Sequence, residues 1–233
     1  MKAKKGLIVT IDGPAGSGKT SVTQAVAQRL GLRYIDTGAM YRGVGWIARE
    51  MGVPFRESFE LDELLRSTEL CFEEEDGATR LKVNGEDVTD QIRTAEMGLI
   101  ASRISALGSV RTWLSGLQRT LGEEGNTILE GRDMGTVVFP DADYKFYLTA
   151  VLEERGRRRT DELLARGERV DYESIVRDMA LRDSADAGRE LAPLKKADDA
   201  VEIDTTAMPL AAVIDRVIRI IGEGEREKGR AKS

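Results

Sequence analysis

The stretch LIVTIDGPAGSGKTS, residues 7–21, restricts this chain more than any other part of it. Leu7 to Asp12 is a short, apolar, β-branched run of the kind that forms a strand buried on both faces. Gly13, Gly18, Lys19 and Thr20 then fit GxxxxGK[ST] without a mismatch. Helical spacing follows at Val22, Val26 and Leu30, with Gly31 as a stop signal. Strand, glycine-rich turn and helix is the order that a phosphate-cradling loop requires. The glycines let successive backbone N–H groups converge on phosphate oxygens, and the helix adds its positive end. Gly13, Pro14, Ala15, Gly16, Ser17, Gly18, Lys19, Thr20 and Ser21 are therefore expected to hold a polyphosphate. Lys19 would reach its outer phosphates and Thr20 would ligate magnesium, with the neighbouring Ser21 hydroxyl as the alternative.

The rest of the chain alternates strand and helix. RYID reads as a strand, TGAMYRGVGWIAREMG as a helix, and residues 61–68 as another, short helix. LCFEEEDGATRLKVNGEDVT carries two turn signals, Asp76-Gly77 and Asn84-Gly85, and reads as a small antiparallel meander over about residues 70–90. From about Thr94 helical spacing returns, clearest at Val110, Trp113, Leu114, Leu117 and Leu121. NTILE, KFYL and AVEID are strands, and LAAVIDRVIRIIG closes the pattern as a helix. The expectation is an α/β fold of the P-loop NTPase kind, three-layered around a central parallel sheet, with ligands at the carboxyl ends of its strands. One domain would span residues 1–222, and the charged segment 223–233 would be a frayed tail.

Composition removes several classes of function. The 233 residues suit one sizeable core, and a net charge of -6 speaks against a general nucleic-acid binder. A single cysteine, Cys71, fits a reducing compartment. The apolar start is too short for a signal peptide and no later run could cross a bilayer, so a cytoplasmic protein with no membrane partner is expected. There is no histidine. That excludes a Ser-His-Asp triad, a histidine zinc site and an imidazole relay.

After the loop, three reactions stay open: hydrolysis that drives a switch, transfer to a small molecule, and transfer to another phosphate. Arginine supply favours the last. Of Arg42, Arg111, Arg132, the run Arg157 to Arg159, Arg182 and Arg189, several follow expected strands or sit where helices could line one cleft. Guanidinium forks pair bidentately with phosphate oxygens and keep their charge. A phosphomonoester acceptor is mostly ionised at neutral pH, its second pKa lying near ~6, so the missing histidine is no obstacle.

GPAGSGKT, YIDTGAMYR, GRDMGTVVFPDADYKFYL, RDSADAGRELAPLKKADDAVEIDTT and the DG/NG meander together resemble the bacterial cytidylate kinase family, among the nucleoside monophosphate kinases. The resemblance runs from about Lys5 to Gly222. It implies transfer of the ATP γ-phosphate to CMP or dCMP, giving CDP or dCDP, with Mg2+. It also implies a core over about 5–36, 94–150 and 198–222, an NMP-binding lobe over about 37–93 that holds the antiparallel insertion, and a lid over about 151–190. By motif, Thr37, Tyr41 and Arg42 would meet CMP, with Arg42 on its phosphate and Thr37 facing the base. Ser102 and Arg111 resemble the cytosine-contacting pair. Arg132 and Asp133 would meet the acceptor phosphate and sugar. Asp186 would accept from the ribose, and Arg189 would approach phosphate and sugar. Lys19, Arg132, Arg158 and Arg182 would carry catalysis, the last two resembling arginines that swing over the transferring group. Ser184 and Ala185 stand where some relatives have an extra arginine, which leaves open the roles of the lid arginines. A monomer is expected.

Plainer readings compete. Arg42 and Arg111 could be surface residues of amphipathic helices. Asp133 could cap a loop. Three consecutive arginines fan round a helix, so at least one of Arg157 to Arg159 would be solvated. Asp186 and Arg189 could form a surface pair worth about 0.3 kcal/mol. Trp46 and Trp113 would be core residues, and Glu73 to Glu75 an exposed strand edge. At the level of function, a shikimate- or adenylate-type kinase would keep the donor site and change the acceptor. The arginine supply exceeds what a nucleotide switch needs, and no NKxD sequence is present.

Overall fold

The structure, a computed structural model, describes residues 6–75 and 78–230. Its first elements are β1 (Ile8–Asp12), α1 (Lys19–Leu30), β2 (Arg33–Asp36), α2 (Thr37–Glu50), α3 (Phe59–Ser67), β3 (Leu70–Glu75), β4 (Ala78–Val83) and β5 (Glu86–Asp87). Then come α4 (Ala95–Ile104), α5 (Gly108–Glu123), β6 (Thr127–Gly131), β7 (Tyr144–Thr149), α6 (Leu152–Ala165), α7 (Tyr172–Ala187), β8 (Val201–Asp204) and α8 (Leu210–Arg230). One sheet has the order β2-β6-β1-β7-β8, and a second has β3-β4-β5. β1 pairs in parallel with β6 on one side and β7 on the other, and β7 with β8. The strand order turns about β1, which puts its carboxyl end at the kind of switch point where α/β sheets bind ligands.

The chain divides into two compact units, one running to Tyr34 and resuming at Glu124, the other Ile35–Glu123. In the first, every residue of β1 and β6 is buried, as expected of strands covered on both faces. Val9 and Ile11 point to a core shared with Val22 and Val26 of α1, Phe146 and Leu148 of β7, Ile203 of β8, and Val213 and Val217 of α8. Thr10 and Asp12 alternate to the opposite face, where a five-residue π-helix, Met134–Val138, follows β6. From sequence α8 is expected to end at Gly222, but the helix continues to Arg230. The Tyr144 hydroxyl on β7 donates to Glu225 at 3.0 Å, which gives the charged extension a partner that local composition does not reveal. No helix among the described residues is long and apolar enough to cross a membrane.

The second unit starts with an N-cap: the Asp36 carboxylate accepts from Ala39 N at 2.8 Å and opens α2. Ser58 and Thr94 cap α3 and α4 in the same way, at 3.2 Å each. β3 and β4 pair antiparallel, and Asn84-Gly85 joins β4 to β5 with φ of 51° and 83°, the double positive φ of a type I′ hairpin. The expected turn at Asp76-Gly77 lies outside the described residues. Helix α2 carries two glycines where neighbours come close. A Cβ on Gly43 would lie 2.9 Å from Leu81 Cδ2 and 3.2 Å from Leu70 Cδ2, and one on Gly45 would lie 2.6 Å from Ile100 Cγ2. Residues 94–150 are grouped with the core from sequence, yet α4 and α5 belong to the same unit as α2 and α3. The Gly45–Ile100 approach and an Arg49–Glu96 ion pair of 3.3 Å explain the difference for α4. Trp46 is buried as expected, Trp113 is only half-buried, and Glu73 to Glu75 are exposed.

Candidate active site

The loop after β1 closes as its sequence demands. Gly13 has φ 146°, and a Cβ there would stand 2.0 Å from the Leu148 carbonyl oxygen, so only glycine fits. Ser17 Oγ donates to Pro14 O at 3.0 Å, and Lys19 Nζ to the same oxygen at 2.7 Å. Gly18 takes the left-handed N-cap position of α1 with no side-chain cap, which leaves that helix end without a competing acceptor of its own. Lys19 is buried, and burial together with Arg132 and Arg182 pulls its pKa down to about 7, against the opposing pull of Glu130 and Asp12. A buried ammonium beside two guanidinium groups gains from an anion.

Of the two adjacent hydroxyls, it is Thr20 Oγ1 that donates to Glu130 Oε2, at 2.9 Å. The Tyr34 hydroxyl donates to the other Glu130 oxygen. Glu130 is the penultimate residue of β6, paired with Ile11 of β1, and is not singled out by the sequence. Its signal was an apolar run, TILE, ending in an acid.

Asp186, on α7, is 1% exposed. Arg132 Nε donates to its Oδ2 at 3.1 Å, Arg189 donates to Oδ1, and Arg182 Nε stands 4.0 Å from Oδ2. Three guanidinium groups thus meet one buried carboxylate, and two of them, Arg132 and Arg182, also act on Lys19. Asp186 and Arg189 are therefore not a solvated surface pair. Arg132 follows β6 directly. Asp133 is buried and stands directly before the π-helix.

The arginine run on α6 fans out. Arg157 pairs with Glu154 and Asp161 in solvent, and Arg159 with Glu162. Arg158 turns inward, donating to Thr205 Oγ1 at 2.9 Å and Thr205 O at 2.6 Å, while Thr205 Oγ1 donates to the loop carbonyl of Ser17 at 3.2 Å. Arg155, unexpected from sequence, is buried and joins three pieces. It donates from Nε to Ala150 O at 2.9 Å, and from Nη1 to the loop carbonyl of Ala15 at 3.1 Å and to Asp183 Oδ2 at 2.6 Å. Arg155 belongs to no motif quoted above and Thr205 falls only near the end of the long RDSADAGRELAPLKKADDAVEIDTT segment; the tertiary fold brings both to the loop.

In the second unit, Thr37 is buried at the first position of α2. Arg42 Nη2 reaches Asp36 Oδ2 at 3.1 Å. Arg111 on α5 is 5% exposed and lies over the Tyr41 ring at 5.6 Å from its centroid. A buried arginine against an aromatic face is not the surface residue that its amphipathic helix allows. Ser102 is half-buried on α4. Structure thus gathers Lys19, Arg132, Arg182, Asp186 and Arg189 in one unit, and Tyr41 with Arg111 in the other.

Residues 9–223 match the family model described as cytidylate kinase. A cytidylate kinase of Geobacter sulfurreducens is 49% identical over 223 residues, covering 96% of both chains. One of Citrifermentans bemidjiense is 50% identical over 212 residues, covering 91% of each. Among solved structures, a gluconokinase from Sinorhizobium meliloti superposes with a TM-score of 0.50 at 14% identity, covering 97% of this chain and 98% of that one, a likeness of fold alone.

Proposed function

The chain belongs to the cytidylate kinase family, and from that premise we propose that it transfers the γ-phosphoryl group of ATP to CMP and dCMP, giving CDP and dCDP. The observation that carries the reading within this family is the buried Asp186 carboxylate clasped by Arg132, Arg182 and Arg189, two of which also act on the phosphate-loop lysine. Such a cluster has a surplus of fixed positive charge after one aspartate is neutralised. It offsets the repulsion between two phosphate chains, which is the main electrostatic demand of this reaction.

The residues divide the work as follows. The loop Gly13 to Ser21 cradles the donor, and Lys19 exchanges Pro14 O for phosphate oxygens. Arg132 and Arg189 meet the acceptor phosphate, and Asp133 and Asp186 its sugar. Thr37, Tyr41, Arg42, Ser102 and Arg111 hold the rest of CMP, Arg42 on the phosphate and Ser102 with Arg111 on the base. Arg158 and Arg182 approach the transferring group. The acceptor phosphate is already an anion near neutral pH, with a second pKa of about 6, so no side chain has to remove a proton from it. Positioning is what remains for the protein to do.

Thr20 and Glu130 suit magnesium: one hydroxyl and one carboxylate oxygen 2.9 Å apart, at the loop, match an ion that takes few protein ligands and fills its shell with phosphate and water. When bound, magnesium would neutralise charge on the phosphates of ATP. The chain is expected to act as a cytoplasmic monomer, without nucleic acid or membrane.

Measuring ADP release with CMP, dCMP, UMP, AMP, shikimate or no acceptor tests the reading. Turnover confined to CMP and dCMP, or strongest with them, supports it. Equal ADP release without acceptor would overturn it in favour of a hydrolytic switch, and turnover only with shikimate or AMP would replace the acceptor.

A further inference from the structure

Asp12 is the last residue of β1 and stands directly before Gly13, where the phosphate loop begins. Its side chain lies on the face of the sheet opposite the α1 core, toward the π-helix. Both carboxylate oxygens are used there: Oδ1 accepts from Met134 N at 2.9 Å and Oδ2 from Gly135 N at 2.8 Å. These amides open the π-helix, and a helix start leaves such N–H groups without partners of their own. Immediately before them stand Arg132, which grips Asp186, and the buried Asp133.

The approach is too close to be incidental. A Cβ on Gly135 would lie 3.0 Å from Thr10 Oγ1, 3.2 Å from Lys145 Cδ and 3.4 Å from Asp12 Oδ2. One carboxylate bound to two consecutive amides fixes the rotation of that backbone as well as its distance. Asp12 is 4% exposed, and burial pushes its pKa up to about 6 in spite of both amide bonds, with the nearby Asp133 carboxylate adding to the rise and Lys19 opposing it. A charge held where the fold resists it calls for a reason beyond filling space.

We infer that Asp12 is a positioning residue: by clamping the Met134 and Gly135 amides to the end of β1, it fixes the Arg132–Asp133 step against the phosphate loop. The distance between the groups that hold the donor and those that meet the acceptor phosphate is thereby set by one side chain. The identity of the acceptor rests on the reading under Proposed function; the clamp itself does not.

Asp12→Asn keeps shape and can accept from one amide, but its NH2 faces the other amide donor to donor. The folded variant, checked by circular dichroism, should lose at least tenfold in kcat/KM for CMP while KM for ATP stays within twofold. Gly135→Ala leaves the carboxylate charged but pushes the segment off it, and should give the same split. In both variants, deuterium should enter the backbone amides of residues 132–138 faster than in the wild type. A merely structural role would lower the melting temperature and leave the kinetic constants unchanged. Kinetic constants within twofold of wild type in the folded variants would overturn the inference, as would an equal rise in KM for ATP and CMP. Should Asp12→Asn not fold, Gly135→Ala decides alone. A wild type inactive toward CMP would sink the acceptor assignment and leave the exchange measurement as the test of the clamp.

Discussion

Replacing Arg155 by methionine should unfasten α6 and α7 from the phosphate loop. The guanidinium is 8% exposed at the side chain and holds the carbonyls of Ala15 and Ala150 together with Asp183. Methionine fills much of the same volume, so the loss is of polar partners rather than of packing. Asp183 Oδ1 is already buried with no hydrogen-bond partner among the described residues, and Oδ2 would join it. Removing one member of a buried pair costs about 3–5 kcal/mol. The 22% exposure of the Asp183 side chain lets it turn toward water and places the expected loss at the lower end, about 3 kcal/mol. At about 2–4 °C per kcal/mol for a chain of this size, the melting temperature should fall by about 6–12 °C. Asp183→Asn should cost less, about 1 kcal/mol, because Arg155 keeps both carbonyls. A double-mutant cycle by urea unfolding should therefore give a coupling of about 1–2 kcal/mol, with KM for ATP rising wherever Arg155 is absent. A loss below about 1 kcal/mol for Arg155→Met, or additive single effects, would refute the argument from buried charge.

Two further outcomes follow from the site. Glu130→Gln and Thr20→Val should each raise the magnesium concentration for half-maximal activity at least tenfold while leaving the fold intact; an unchanged magnesium curve in both would remove the metal from that pair. Asp12 titrates near 6 in the fold and at 3.8 when exposed, so between those values the folded state keeps a proton that the unfolded state releases. Its contribution to stability therefore falls as pH rises through that window, by about 3 kcal/mol in all, and is constant above it. Urea midpoints of wild type and Asp12→Asn compared from pH 4 to pH 6.5 should diverge by this slope, and parallel profiles would contradict it.

What could be read from sequence was what is local. The loop from Gly13 to Thr20 is contiguous, LIVTID and the apolar part of TILE belong to strands covered on both faces, and Asn84-Gly85 names its own turn. The residues assigned to the acceptor came from family motifs rather than from spacing. Less visible were pairings across the chain. Glu130 meets Thr20 across 110 positions, Arg155 meets Ala15 across 140, and Asp12 meets Gly135 across 123. No window of neighbouring residues contains such pairs. The same cause explains α8, whose charged end reads as a tail until Tyr144 is placed beside Glu225. Spacing alone gave Asp186 and Arg189 a weak pair on a helix surface; burial at 1% exposure turned it into the centre of a charge cluster.

Two of the bare positions on α2, Gly43 and Gly45, bear on how sequences of this kind can be recombined. Each glycine gives up about 1 kcal/mol of helix propensity, so the helix yields intrinsic stability in return for contact with Leu70 and Leu81 on one side and Ile100 on the other. Tyr41 and Arg42 ride on that same helix. A chimera that exchanges the small sheet with a homologue's but leaves α2 behind would meet a mismatched groove, and the misfit would travel along the helix to Tyr41 and Arg42. Crossover points that carry residues 37–104 as a block should survive selection, whereas those that separate α2 from β4 should be lost.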